Sequence, residues 1–509
     1  MRIAEGLLTV ENFNQALADE SFATRSLIPH DGPMWGLWMH EGADEWAFRR
    51  CTVEFAPVPG RIVSVRKQRH GVRPVAELAI RDRVLYRALV NRWKDKLAEP
   101  DRSGEAYDEF LTAPLKAASA PKYVVSSDVT ACYQYIDHGL LARELLARTG
   151  DSDGVDALTG LLAGVVGRSY GLPQQSGPSD ALAEAYLSVV QRRLIRQGLT
   201  VWRYNDDFRI AADSWRDALN AVDSLERECR AVGLALNDSK TVIRLRDTYK
   251  AALVRRDQTM EEISEQVEMD LSGWSSSPYG GDKFEVDEFE LEVEQDAATV
   301  AAARQVLDDW EELARRADSL DRDEQDRMGV LADLLRRALP VLWTQPTDPD
   351  ILNSCSLILR VEQTLTPFVS RYLEHATDEP AMTVAWFEQF LSEEPYLTPW
   401  QAWWVAPSLR EVADSYGAGS VQRTWLEGVW NDPKSTEPVI AGLAFTMADK
   451  GLVTADELVA MFDGMTETGR PFVARALGAI APTGHAGAAT LVAEDEWVRW
   501  AFELGQSNA

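Results

Sequence analysis

A chain of 509 residues, 45% hydrophobic and 26% charged, is long enough for two to four domains with large cores. Its four cysteines, Cys51, Cys132, Cys229 and Cys355, have no Cys-x-x-Cys spacing and its six histidines form no ligand-spaced cluster, so neither a disulfide framework nor a zinc site is indicated. No apolar run reaches membrane-spanning length and no leader pattern opens the chain, so a soluble, cytoplasmic protein without a membrane partner is expected; the formal charge of −29 has to be read locally.

Residues 1–55 read as an N-terminal helical extension. It holds one helix, roughly Val10 to Thr24, and then a Pro-, Gly- and Trp-rich connection through Pro33, Trp35, Gly36 and Trp38. From Arg61 to Lys96, eleven lysines and arginines stand against Glu77, Asp82 and Asp95, a local basic field on an acidic protein. Within it Arg61 to Val75 alternates as a β-hairpin around His70-Gly71, and Arg81 to Trp93 has the period of an amphipathic helix. Taken alone, this hairpin reads more simply as a solvated basic surface.

Next comes an apolar strand, Val124-Val125-Ser126-Ser127-Asp128, with an aromatic, Tyr133, five residues beyond its terminal acid. Gly171-Leu172-Pro173-Gln174-Gln175-Ser176-Gly177-Pro178-Ser179 then leads into a helical run from Asp180 to Ile195. Val201, Trp202 and Tyr204 precede the pair Asp206-Asp207 and Phe208 and Ile210 follow it, a hairpin with Asn205 and Asp206 at the tip. Adjacent carboxylates repel unless a divalent cation sits between them, although an ordinary Asn-Asp turn accounts for the pair equally well on its own. Gly233 to Thr241, containing Lys240, closes a helix and opens a strand.

In this order, over about 120 residues, the four stretches resemble the motifs of a reverse transcriptase palm. The resemblance implies a right-hand polymerase with fingers and palm over residues 56–256. It implies catalysis by Asp128, Asp206 and Asp207, and Mg2+ held by those carboxylates together with the backbone of Val129. Lys67 and Arg73, on a hairpin that resembles the fingers of bacterial members, would reach the triphosphate of the incoming nucleotide, and Gln174 would line its pocket. Tyr133 stands either as the ring under the sugar, which leaves no room for a 2′-hydroxyl and implies deoxynucleotides, or as plain core beside Tyr135 and Ile136; its offset from Asp128 favours the first. Lys240 stands either as the general acid for the leaving pyrophosphate or as a solvated lysine at a junction. The chain departs from the family where Gln175 replaces Gly and Glu184 replaces Asn, and the lost glycine puts ordinary template handling in doubt.

From Asp257 to Asp296 there are fourteen acids and only Lys283, an acidic linker over residues 257–296. It contains the turn-rich run Ser272 to Gly281 and an irregular edge strand from Phe284 to Val293. From Ala297 nearly everything reads as helix, in segments including Ile351 to Leu373, Trp400 to Tyr416 and Ala488 to Leu504, and ten of the seventeen tryptophans fall here. Residues 297–509 are therefore expected to be an all-α, HEAT-like helical-repeat domain, making the whole chain α+β. There is no RNase H carboxylate cluster, no basic maturase region and no basic retron thumb. The layout resembles the abortive-infection and unknown-group reverse transcriptases of bacteria, which act in antiphage defence. That resemblance implies dNTPs, an RNA template or associated non-coding RNA, a homo-oligomer, and a DNA product that is protein-linked in some members. Tyr279 is a candidate priming hydroxyl, with the serines at 275 to 277 and the palm tyrosines as rivals. Two alternatives stay open: a retron-like enzyme paired with a structured RNA, and a catalytically idle RNA-binding scaffold.

Overall fold

The computed structural model describes residues 3–4, 6–23, 27–29, 32–67, 71–98, 100–269, 271, 296–413 and 415–507. Helix α1 (Val10–Ser21) begins at a capping box in which Thr9 and Asn12 satisfy each other's backbone N–H groups. The expected connection after it is instead helical, as α2 (Gly32–Trp38) and α3 (Ala43–Thr52). Tertiary burial is the reason: Met34, Leu37, Trp46 and Cys51 share one core with helices near the C-terminus, which outweighs the weak local propensity of glycine and tryptophan.

Strands β1 (Arg61–Arg66) and β2 (Val72–Glu77) form the expected antiparallel hairpin, closed by the Lys67 N–H donating to the Gly71 carbonyl at 2.9 Å. Its tip at His70 lies outside the described residues. Helix α4 (Ile80–Asn91) is buried on nearly every side, and its arginines, paired with acids, correct the reading of this stretch as a local basic field. Arg81 meets Asp82 at 2.9 Å and Glu467 at 3.1 Å, and Arg83 meets Glu20 at 3.2 Å and Glu77 at 3.3 Å. Arg87 bonds Glu20 at 2.7 Å and Arg92 bonds Asp151 at 2.9 Å. A guanidinium leaves water at a cost that only paired charges offset, so these residues fasten α4 to its neighbours.

Then follow α5 (Gly104–Lys116), β3 (Tyr123–Asp128), α6 (Cys132–Tyr135), α7 (His138–Thr149), α8 (Ser152–Val166), α9 (Gly177–Arg196), β4 (Val201–Tyr204), β5 (Asp207–Ala212), α10 (Trp215–Arg230), β6 (Val242–Leu245) and α11 (Arg246–Gln266). Four of the strands make one antiparallel sheet in the order β4-β5-β3-β6. Central β3 is buried from Val124 onward, and alternate residues of β5, Phe208, Ile210 and Ala212, point into the core. Helix α11 runs into the stretch expected as acidic linker. The turn-rich run, the expected edge strand and Tyr279 lie outside the described residues.

The remaining helices are α12 (Ala297–Ala314), α13 (Arg322–Trp343), α14 (Pro349–Val361), α15 (Thr366–His375), α16 (Pro380–Ser392), α17 (Pro399–Val405), α18 (Ser408–Val412), α19 (Val421–Trp430), α20 (Glu437–Asp449), α21 (Ala455–Gly464), α22 (Arg470–Ile480), α23 (Ala486–Glu494) and α24 (Glu496–Ser507). Three segments expected as single helices are each broken in two. Pro367 and Pro407 lack an N–H and start new helices rather than continue old ones. Asp495 is extended, and its Oδ1 accepts from the Trp497 N–H at 2.8 Å.

The two larger apolar cores do not follow chain order. One joins the N-terminal helices and the sheet to helices between Ala441 and Ala501; the other joins Val63, Val65 and Val75 of the hairpin to Ile263 and to helices between Ala303 and Met447. The hairpin is thus built into the helical half, and Arg61 is ion-paired with Glu437 there at 2.9 Å. Among the described residues, no helix is long and apolar enough to cross a membrane.

Candidate active site

The pairing of β3 with β5 sets Asp128 opposite Asp207. β4 turns into β5 through Asn205 and Asp206 alone, and so tight a reversal needs a left-handed residue, which Asn205 supplies at φ 51°. The Val129 N–H donates to the Asp206 carbonyl at 3.1 Å, fixing the hairpin tip to the end of β3. The three acids singled out in the sequence therefore meet at one end of the sheet.

Arg203 holds that tip from behind, a role that sequence reasoning missed. It donates to Glu184 Oε2 at 2.9 Å and to the Asn205 carbonyl at 2.8 Å. Glu184, which replaces the family's Asn, is the counter-charge of Arg203. The signal was present in the sequence: an arginine inside an apolar strand is too costly to stand without a buried partner.

Lys240 lies in a single helical turn, Asp238–Lys240, and its Nζ approaches Asp128 Oδ1 to 3.0 Å, while Asn237 Nδ2 donates to Asp128 Oδ2 at 3.2 Å. Burial pulls the Lys240 amine down, but this hydrogen bond and the charges of Asp128, Asp207 and Asp206 outweigh it and hold the amine above its ordinary value. Lys67 shifts the other way, lowered by burial and by the charges of Arg73 and Lys240, with Asp206 and Asp128 opposing. Lys67, Arg73, Lys240 and the acids thus share one electrostatic field. Arg209 lies 3.7 Å from Asp207 and lays its guanidinium over Phe110. Among the described residues, no three His, Cys, Asp or Glu side chains gather as a ready-made metal cage. The carboxylates nonetheless form an all-oxygen donor set of the kind a hard divalent ion takes, although the Lys240 ammonium lies on Asp128 in this structure.

Tyr133 packs its ring against the core, yet its hydroxyl is engaged by charges: it donates to Asp180 Oδ1 at 2.6 Å and accepts from Arg102 Nη2 at 2.6 Å. Burial, followed by the Asp180 charge, pushes the phenol well above its usual range. The Leu172 N–H donates to the Tyr133 carbonyl at 2.7 Å, which brings the loop carrying half-buried Gln174 against α6. Gln175 has φ 60°, the left-handed conformation that glycine adopts without strain.

Residues 65–275 match the family described as reverse transcriptase (RNA-dependent DNA polymerase). No match was found among curated proteins. Among solved structures, an apo telomerase from Candida tropicalis, truncated from its C-terminal domain, is 16% identical over 39% of this chain with a TM-score of 0.28, and the chain spans 53% of it. A Candida albicans telomerase in complex with a TWJ fragment of telomeric RNA is 11% identical over 70% of this chain and 66% of its own, with a TM-score of 0.31. The RNA-dependent RNA polymerase of a human picorbirnavirus is 15% identical over 65% of this chain and 79% of its own, with a TM-score of 0.29.

Proposed function

We propose that this enzyme, whose residues 65–275 are a reverse transcriptase domain, is a DNA polymerase that joins dNTPs, RNA-directed or without a template, in antiphage defence. The observation that carries the reading is the meeting of Asp128, Asp206 and Asp207 at the sheet end, within the field of Lys67, Arg73 and Lys240. Asp128, Asp206 and Asp207, with the Val129 backbone, would hold Mg2+, which when bound lowers the pKa of a primer 3′-hydroxyl and neutralises triphosphate charge. Lys67 and Arg73 bind the triphosphate, Gln174 lines the pocket, and Tyr133 walls off the sugar. Lys240, whose amine lies above its ordinary pKa beside Asp128, would give its proton to the departing pyrophosphate. Residues 297–509 are read as a HEAT-like domain on which a cytoplasmic homo-oligomer assembles.

Purified protein given Mg2+, dNTPs and a primed RNA should extend the primer, and Asp206→Ala should abolish extension while leaving the melting temperature equal or higher, since one of several crowded carboxylates is gone. Substantial synthesis by the Ala variant would remove the acids from the chemistry. The rival reading, an idle RNA-binding scaffold, draws on the Lys240 ammonium already occupying Asp128. It requires that the unaltered protein extend nothing.

A further inference from the structure

We propose that Arg102 and Asp180 are positioning residues that set the pocket's choice between deoxyribose and ribose by clamping the hydroxyl of Tyr133. This rests on the reading of Tyr133 as the wall beneath the sugar. The clamp is assembled from three separate places: Arg102 from the loop ahead of α5, Tyr133 from α6, and Asp180 from the first turn of α9. The phenol donates to Asp180 Oδ1 at 2.6 Å and accepts from Arg102 Nη2 at 2.6 Å, and Arg102 and Asp180 themselves lie 2.7 Å apart. The side chains of Arg102 and Asp180 are 12% and 20% exposed, so solvent screens the triangle little.

A phenylalanine would fill the same volume without requiring buried charges. A hydroxyl placed between a carboxylate and a guanidinium makes two charge-assisted bonds, the strong kind, and these fix the far end of the ring while the backbone fixes the near end. Rigidity matters here because a steric wall rejects an additional hydroxyl only as far as the wall refuses to move. Asp180 also opens the helix that follows the Gln174 loop, and that loop is tied to Tyr133 a second time through the Leu172 N–H at 2.7 Å. The clamp therefore joins two walls of one pocket.

The test measures kcat/KM for dATP and for ATP on a primed poly(rU) template with Mg2+, using the full-length protein. In Asp180→Asn, Arg102→Met and Tyr133→Phe, the deoxy-to-ribo ratio should fall about five- to tenfold, and Tyr133→Ala should lower it further. Asp180→Asn keeps the size and an acceptor but takes the charge from beside Arg102, whereas Tyr133→Phe leaves the Arg102–Asp180 pair intact and so does not depend on tolerating a buried charge without its partner. A merely structural triangle would lower both efficiencies together and leave the ratio where it was. An unchanged ratio in Asp180→Asn and Arg102→Met, with the ratio altered in Tyr133→Ala, overturns the clamp and leaves the sugar wall standing. An unchanged ratio in an active Tyr133→Ala overturns the wall and the clamp with it.

Discussion

At residue 175 the backbone keeps the left-handed conformation, φ 60°, although the glycine that suits it has been replaced by glutamine. For a residue with a Cβ this conformation costs about 1–2 kcal/mol, so Gln175→Gly should stabilise the protein, by about 1 kcal/mol once the extra freedom of the unfolded chain is discounted. Denaturant titration checks this, and a loss of stability would mean that the Gln175 side chain makes contacts worth more than the strain. The same residue shows what a sequence can and cannot tell. The departure from the family was legible at once, whereas the retained conformation was not, because φ depends on the loop closing around it. That Asp128, Asp206, Asp207 and Lys240 come together at one end of the sheet was legible from motif order and spacing. The partners in Arg203–Glu184 and Arg102–Asp180 were not, since the first pair crosses from α9 to the next element β4, the second joins the loop ahead of α5 to α9, and no helix or strand period links either.

Among the elements, helices were legible wherever the apolar period was long, and their breaks were misjudged wherever a single residue decided them. Pro367 and Pro407 carry the breaking chemistry openly, but Asp495 breaks its helix by capping the next one, and a cap depends on where its side chain turns. The basic stretch from Arg61 to Lys96 was misjudged for a different reason. Charge counted along a chain does not show which arginines are buried against acids, and those of α4 are. Hairpin β1-β2 combines two roles: Val63, Val65 and Val75 bury one face in the core of the helical half, while Lys67 and Arg73 share the electrostatic field of the acids. Val65→Ala should therefore cost about 2 kcal/mol of stability through the cavity it leaves, and should also raise KM for dNTP by loosening the two cations. Calorimetry and initial rates measure the two effects. A destabilised variant with unaltered KM would show that the hairpin's packing and its grip on nucleotide are independent.

On the scale of the whole molecule, the two ends of the chain are built into one body. Trp46 packs against Trp497 and Trp500, Arg49 bonds Glu496 at 2.7 Å, and Arg50 bonds Asp495 at 3.2 Å. α2 and α3 therefore take part of their burial from α24, beside what α1 and α4 give them, which explains why Gly32–Trp38 and Ala43–Thr52 fold as helices that local sequence does not demand. α24 is seated in turn by its crossing with α22, where Gly478 and Gly505 let the two backbones meet. A Cβ at Gly505 would lie 2.0 Å from the Arg475 carbonyl oxygen, and one at Gly478 would lie 2.0 Å from that of Phe502. Backbone cannot step aside as a flexible side chain can, so Gly505→Ala should push α24 outward at a cost of about 3 kcal/mol. The effect should appear at the opposite end of the sequence: lifting Trp497 and Trp500 uncovers Trp46, so protease should cut sooner between α1 and β1. Limited proteolysis with N-terminal sequencing of the fragments reads this directly. Cleavage confined to the last thirty or so residues would show that the N-terminal helices hold their place without α24.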